Sequence, residues 1–170
     1  MDDIIRISTN TPWEPMFGYS RAVKAGNLIV VSGTTGTDEN GTIIGINQMY
    51  SQARQAIANI ASVLARAGAS LDDVIRTRIF VTDMSRYQEV GRAHREAFGA
   101  APPAATLVEV RRLIHPDMMV EIEVDAVIRA VDVPASAAAK PTAKAKPRAR
   151  GKTKSKPGST ARKSKPARRK

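Results

Sequence analysis

Pro103-Ala104-Ala105-Thr106-Leu107-Val108-Glu109-Val110, followed after a loop by Met118-Met119-Val120-Glu121-Ile122-Glu123-Val124-Asp125-Ala126, carries the reading on which the fold turns. Both runs are rich in branched side chains, and the second alternates apolar with acidic residues, which is the period of extended chain. Strands are therefore predicted over 105–111 and 118–129. In the second, Val120, Ile122, Val124 and Ala126 point to one side, and Glu121, Glu123 and Asp125 to the other. If the apolar set packs under helices, the carboxylate face is what a neighbouring subunit would meet.

Upstream the periods change repeatedly. Residues 19–23 and 28–32 read as two strands joined by the turn Ala25-Gly26-Asn27. Residues 42–46 read as a short edge strand, and the stretch before Tyr19 as irregular. From Gln48 onward Ala53, Ala56, Ile57, Ile60, Val63, Leu64 and Ala67 recur at three and four residues, with Gly68 where a left-handed cap belongs. This predicts an amphipathic helix. Residues 74–82 alternate as a strand, and Ser85-Arg86-Tyr87-Gln88 has the Ser-x-x-Gln form of a capping box opening a second helix to Phe98. Gly99 and Pro102-Pro103 end it. The order β-β-(β)-α-β-α-β-β predicts an α+β fold, two helices on one face of a mixed sheet.

Composition bounds the rest. A chain of 170 residues with 42% hydrophobic content builds one core, not two. Absence of cysteine excludes disulfides, thiolate nucleophiles and thiolate metal sites. The start Met1-Asp2-Asp3-Ile4-Ile5 lacks the cationic region of an export signal, and no run approaches the ~20 apolar residues of a membrane span. A soluble cytoplasmic protein with no membrane contact is expected.

The net charge of +11 is a property of one end. Fourteen of the 27 Lys and Arg fall in 133–170, which holds no Asp or Glu, so residues 1–132 carry a net charge of −3. The terminal segment is built of Ala, Lys, Pro, Arg, Ser, Thr and Gly with no aromatic residue, too little apolar surface to offset the entropy of ordering. The expected organisation is a folded domain over 1–132 and a disordered tail over 133–170. That tail is similar to the C-terminal domains of linker histones and bacterial histone-like proteins, which implies sequence-blind, salt-sensitive binding of DNA, RNA or polyphosphate and association with a nucleoid. It has no aromatic platform on which single strands stack. The plainer alternative is a solubilising extension with no particular partner.

The folded part resembles the RidA/YjgF family, the reactive-intermediate deaminases, from about Phe17 to Val131. The resemblance runs through Gly18-Tyr19, Gly26-Asn27-Leu28-Ile29, Ser32-Gly33, Gln52-Ala53-Arg54-Gln55, Ala67-Gly68-Ala69-Ser70, Phe80-Val81-Thr82-Asp83, Val108-Glu109-Val110 and Glu121-Ile122-Glu123. It implies a chorismate-mutase-like homotrimer with three clefts at the subunit boundaries. There, active members hydrolyse enamines and imines with neither metal nor organic cofactor. By the same resemblance Tyr19, Ser32 and Gly33 meet the ligand, and Glu121 positions or activates the hydrolytic water. Ala105 stands where the family has a carboxylate-binding arginine, and Leu107 where members often carry cysteine. Loss of the guanidinium at 105 removes a bidentate grip on a substrate carboxylate, so a different substrate is expected.

Each candidate has a plainer alternative. Arg21 shares a strand face with Tyr19, which puts its guanidinium beside the cleft, or else it pairs with Glu14 or with an acidic residue of the next subunit. Glu121 acts on the substrate, or joins Glu123 and Asp125 in ion pairs with Arg76 and Arg78. His94 has the helical spacing of a packed imidazole, and His115 lies in a solvated turn. Asp38-Glu39-Asn40-Gly41 is a turn without the remaining ligands of a calcium loop, and Gly33-Thr34-Thr35-Gly36 lacks the lysine of a phosphate loop. The reading is a cofactor-independent hydrolase of imine or enamine metabolites with a polyanion-binding tail. Its rival is a nucleic-acid-associated scaffold whose cleft is inactive or regulatory. Some family members are described as cleaving RNA, but no nuclease triad is legible here.

Overall fold

The computed structural model describes residues 4–129, and the expectation of a disordered tail lies outside the described residues. Six strands form one sheet: β1 Ile4–Ile7, β2 Ala22–Ala25, β3 Leu28–Thr35, β4 Val74–Val81, β5 Ala104–Glu109 and β6 Val120–Val127. Their order across the sheet is β1-β2-β3-β6-β4-β5. Only β4 and β5 run parallel, joined by the crossover that a parallel pair requires. That crossover contains helix α3, Tyr87–Phe98. The longer helix α2, Met49–Ala67, and the short α1, Trp13–Phe17, complete the helices.

Two-fold alternation decides which face is covered. Val120, Ile122, Val124 and Ala126 are buried against α2, which contributes Ala53, Ala56, Ile57, Ile60 and Leu64 to the same core. Gly68 at φ 83° ends α2 in the left-handed conformation that favours glycine, and its N–H returns to the carbonyls of Ala65 and Leu64.

The opposite face carries no helix among the described residues. Val30 and Val108 remain 42% and 40% exposed there, beside a ladder in which Arg78 pairs with Glu123 and Asp125, and Arg76 with Asp125. The ion pairs expected for Glu123 and Asp125 therefore form. Glu121 is not part of them.

Four expectations change. The first hairpin strand is Ala22–Ala25 and not 19–23, because Tyr19 to Arg21 leave the ladder to reach the bulge of β3, so Tyr19 and Arg21 share no strand face. Residues 42–46 form no strand but a single bridge, Thr37 to Ile43, because Gly45 and Asn47 adopt positive φ and turn the chain into α2. The irregular start instead holds β1 and α1. Four residues are too few for a period to register, and β1 exists through its pairing with β2. Ser85 does not cap the second helix: Asp83, whose carboxylate accepts from the Ser85 N–H at 3.0 Å, opens a one-turn 3-10 segment that leads into α3, and α3 itself has no side-chain cap.

Candidate functional site

The site begins with an irregularity. The register between β3 and β6 shifts between Val31 and Thr34, so Ser32-Gly33 bulges out of the ladder. Bulges re-aim side chains and gather next to active sites. Here the bulge lets the Glu121 side chain, carried on the open face of β6, lie directly on the Gly33 backbone. A Cβ at Gly33 would overlap Glu121 Oε1, so the carboxylate can lie here only because residue 33 is glycine.

Arg21 closes the bulge from the other side. Its Nη1 donates to the Gly33 carbonyl at 2.7 Å and to Thr34 Oγ1 at 3.3 Å. Its Nη2 donates to the Tyr19 hydroxyl, and the guanidinium carbon stands 5.1 Å from the centre of the Tyr19 ring. Ser32 Oγ donates to the Ser20 carbonyl at 2.8 Å, and Ser32 N–H to the Arg21 carbonyl at 3.0 Å. The segment that delivers Tyr19 and Arg21 is thus fastened to the bulge it faces.

Glu121 accepts no hydrogen bond from any described residue. Burial pushes its carboxyl above the usual carboxylate range, the Arg21 charge pulls it back, and Glu123 pushes it further up. A half-buried carboxyl whose charged form burial disfavours, with no donor among the described residues, is suited to giving and taking protons.

Glu14 supports the same segment from below. It is buried, receiving the Thr9 N–H at 3.0 Å, the Thr9 hydroxyl at 2.8 Å and the Ser8 hydroxyl. Burial alone would raise its carboxyl, and the donors from Ser8 and Thr9, with the charge of Arg21, more than offset that and hold it low. Its carbonyl receives the N–H groups of Gly18 and Tyr19. An open pocket of about 450 Å³ is lined by Arg6, Ser8, Glu14, Gly18, Tyr19 and Ser20, among others.

Tyr19, Arg21, Ser32, Gly33 and Glu121, all singled out in the sequence, come together in one chain. The direct pairing of Arg21 with Glu14 does not occur: no ion pair within 4.0 Å joins them, and the guanidinium turns toward Gly33. Ala105 and Leu107 are placed elsewhere. Both lie on the edge strand β5 in register with Thr77 and Ile79, and Leu107 packs toward the helix-covered core. They stand two strands from β6 and on the opposite face to Glu121. Within one chain they do not reach the Tyr19 cluster. Thr34 and Glu14 escaped sequence reasoning as members of the site, because their contacts arise only once the bulge and the α1 turn have formed.

The histidines are separate. His94 Nε2 lies 3.0 Å from Thr77 Oγ1, its ring stacks on Phe98, and burial lowers its pKa. His115 is exposed beside Asp117. Among the described residues no group of three His, Cys, Asp or Glu is placed to hold a metal ion, and no helix is long and apolar enough to cross a membrane.

Comparison with known proteins places the fold and the family. The family model described as Endoribonuclease L-PSP matches residues 9–128. A RutC family protein of Pyrococcus horikoshii is 36% identical over 123 residues, 72% of this chain and 95% of that one. The 3-aminoacrylate deaminase RutC of Acinetobacter baylyi is 34% identical over 108 residues, 64% of this chain and 85% of that one. Among solved structures, a YjgF family member from Mycobacterium tuberculosis superposes with a TM-score of 0.68 at 44% identity, covering 74% of this chain and all of that one. With the sheet order, the two-helix layer and the Tyr19-to-Glu121 cluster in place, a match spanning nearly every described residue makes this chain a member of the RidA/YjgF family, α+β in fold.

Proposed function

We propose that this protein hydrolyses imines or enamines to carbonyl compounds and ammonia, using no metal or organic cofactor. The single observation that carries the reading is the Glu121 carboxyl, pushed up by burial and left without a donor among the described residues over the Gly33 bulge. In its neutral form Glu121 gives a proton to the imine nitrogen, or to the enamine carbon to produce the imine. As carboxylate it takes a proton from the water that attacks the C=N carbon. Collapse of the carbinolamine then expels ammonia and leaves the carbonyl, so one water is consumed and the proton returns to Glu121. General acid-base assistance of this kind is worth about a hundred- to ten-thousand-fold in rate. Tyr19 and the Ser32-Gly33 backbone line the ligand. The absence of a guanidinium at Ala105 moves the substrate away from those gripped at that position.

The working unit in this reading is a homotrimer whose seams close the clefts and bring Ala105 and Leu107 of one copy toward a neighbour's Tyr19 and Glu121. The exposed Val30 and Val108 on the helix-free face support it. Residues 133–170 are assigned to DNA, RNA or polyphosphate, since fourteen cations without a counter-charge neutralise phosphates and release counterions. Three tails on one trimer add avidity without new contacts. RNA cleavage draws no support from the site, where neither histidine approaches Glu121.

The test compares full-length protein with residues 1–132 for hydrolysis of short-lived imines and for retention on DNA or RNA across a salt series. Hydrolysis by both, abolished by Glu121→Ala, with retention only in the full chain, is the expected result. No hydrolysis of charged or uncharged imines by either form overturns the catalytic reading and favours the scaffold.

A further inference from the structure

Arg21 is an unusual cation for its surroundings. It is half-buried, yet no carboxylate of the described residues lies within 4.0 Å of it to form an ion pair. A guanidinium carries five N–H donors. Two on Nη1 and one on Nη2 serve Gly33, Thr34 and Tyr19. The Nε–H and a second Nη2–H have no partner among the described residues, and a guanidinium presents that pair of N–H groups as a flat, two-pronged edge suited to a carboxylate. The three spent bonds lock the group in place, so a ligand would bind it without further ordering.

The neighbourhood says what binding an anion there would do. Among the described residues the charged groups near Glu121 are Arg21 from the segment before β2, Glu123 on its own strand, and Arg78 on β4, which is already committed to Glu123 and Asp125. The uncharged neighbours in register are Thr35 on β3 and Phe80 on β4. Arg21 is thus, among the described residues, the one nearby cation available to hold Glu121 in its ionised form. An anion seated on Arg21 would cancel that influence and add a second negative charge beside the carboxyl.

Resting on the hydrolase reading above, we infer that Arg21 grips the carboxylate of an anionic imine from within the same chain as Glu121, and that this capture draws a proton onto Glu121. The substrate class is then an imine bearing a carboxylate, held at the Tyr19 side of the cleft instead of at position 105. Substrate binding itself loads the acid: the proton comes from solvent and is ready for the imine nitrogen.

The test titrates the full chain with pyruvate, a 2-oxo carboxylate of the product type, and with uncharged pyruvamide. Calorimetry in two cationic buffers of different ionisation enthalpy, at about pH 6, reads proton uptake. The basic tail is present in every variant, so its contribution cancels. Expected are saturable pyruvate binding with net proton uptake and a loss of about tenfold or more in Arg21→Gln. Pyruvamide binding should be unaffected by that substitution. Glu121→Gln should bind pyruvate without taking up a proton. Should Arg21→Gln fail to fold, Arg21→Lys keeps the charge without the fork and should still lose several-fold. Equal pyruvate affinity in the Arg21 variants, proton uptake persisting in Glu121→Gln, or no pyruvate binding by the parent protein each overturn the inference. Pyruvate binding through Arg21 in a protein that hydrolyses no imine would sink the hydrolase reading and leave this one standing. Hydrolysis of imines by a protein whose Arg21 variants bind pyruvate undiminished would do the reverse.

Discussion

The Glu121 carboxylate occupies the space that a Cβ on Gly33 would fill. The colliding atom is the far end of a flexible side chain, so the fold can yield while the carboxylate cannot stay. Gly33→Ala should therefore cost only about 1 kcal/mol of stability. It should also reduce imine hydrolysis by roughly a hundredfold, the scale of an ångström-sized misplacement. Thermal melting and initial rates on one preparation separate the two effects. Full activity in the Gly33→Ala protein would mean that Glu121 does not work from this position.

Glu121→Gln removes the proton donor but keeps the shape, and its effects on rate and stability should have opposite signs. Hydrolysis should fall by about a hundred- to ten-thousand-fold. Burial raises the Glu121 carboxyl in the folded protein, so folding favours its protonated form. Its contribution to stability is fully present below the unfolded carboxyl pKa and is lost as pH rises through the folded value. The Glu121→Gln protein should consequently melt higher than the parent at neutral pH, with the gap closing as pH falls below the ordinary carboxylate range. A melting difference independent of pH would show that the carboxyl is not desolvated.

Glu14 has the opposite sign. Its carboxyl is held low by its donors despite burial, so its stabilisation is present above the unfolded carboxyl pKa and is lost as pH falls through the folded value. Glu14→Ala leaves the Thr9 N–H and the Ser8 and Thr9 hydroxyls without their acceptor and should cost on the order of 3 kcal/mol near neutral pH. Because the same turn presents Tyr19, ligand affinity should fall with it. Denaturant titrations at neutral and acid pH check the sign: the difference from the parent should shrink in acid.

The elements legible in the sequence were those whose side chains repeat often enough to show a period. The α2 pattern from Ala53 to Ala67 and the alternation of Val120 to Ala126 each report one buried face several times over. The four residues of β1 report it too few times, and that strand depends on β2 lying beside it. At the site, Tyr19, Gly33 and Glu121 were reached through resemblance to a family, since no local rule marks a bulge at Ser32-Gly33. Arg21 does come beside Tyr19, but not by strand alternation: both lie in the irregular segment before β2, which starts only at Ala22. Its partners were not legible, because a guanidinium reaches backbone carbonyls that only the folded bulge presents. Ala105 and Leu107 lie on the far edge of their own chain's sheet, so only a neighbouring copy can bring them to the Tyr19 cluster.

Val30 offers a direct test of what covers the helix-free face. It is 42% exposed and lies in register with Asp125, next to the Arg78 ladder. In an isolated chain, Val30→Asp changes a partly solvated position and should cost little, within about 1 kcal/mol. In a trimer that buries this face, the same carboxylate would be desolvated beside Asp125 with no new cation to meet it, a penalty of several kcal/mol per copy. The parent protein should sediment with the mass of three chains, and the Val30→Asp protein as a single folded chain of unchanged circular dichroism. Hydrolysis should disappear with the trimer if neighbouring copies close the clefts. A parent protein that is already a monomer in solution would refute the shared cleft, and a Val30→Asp protein that remains trimeric would place the subunit contact elsewhere on the surface.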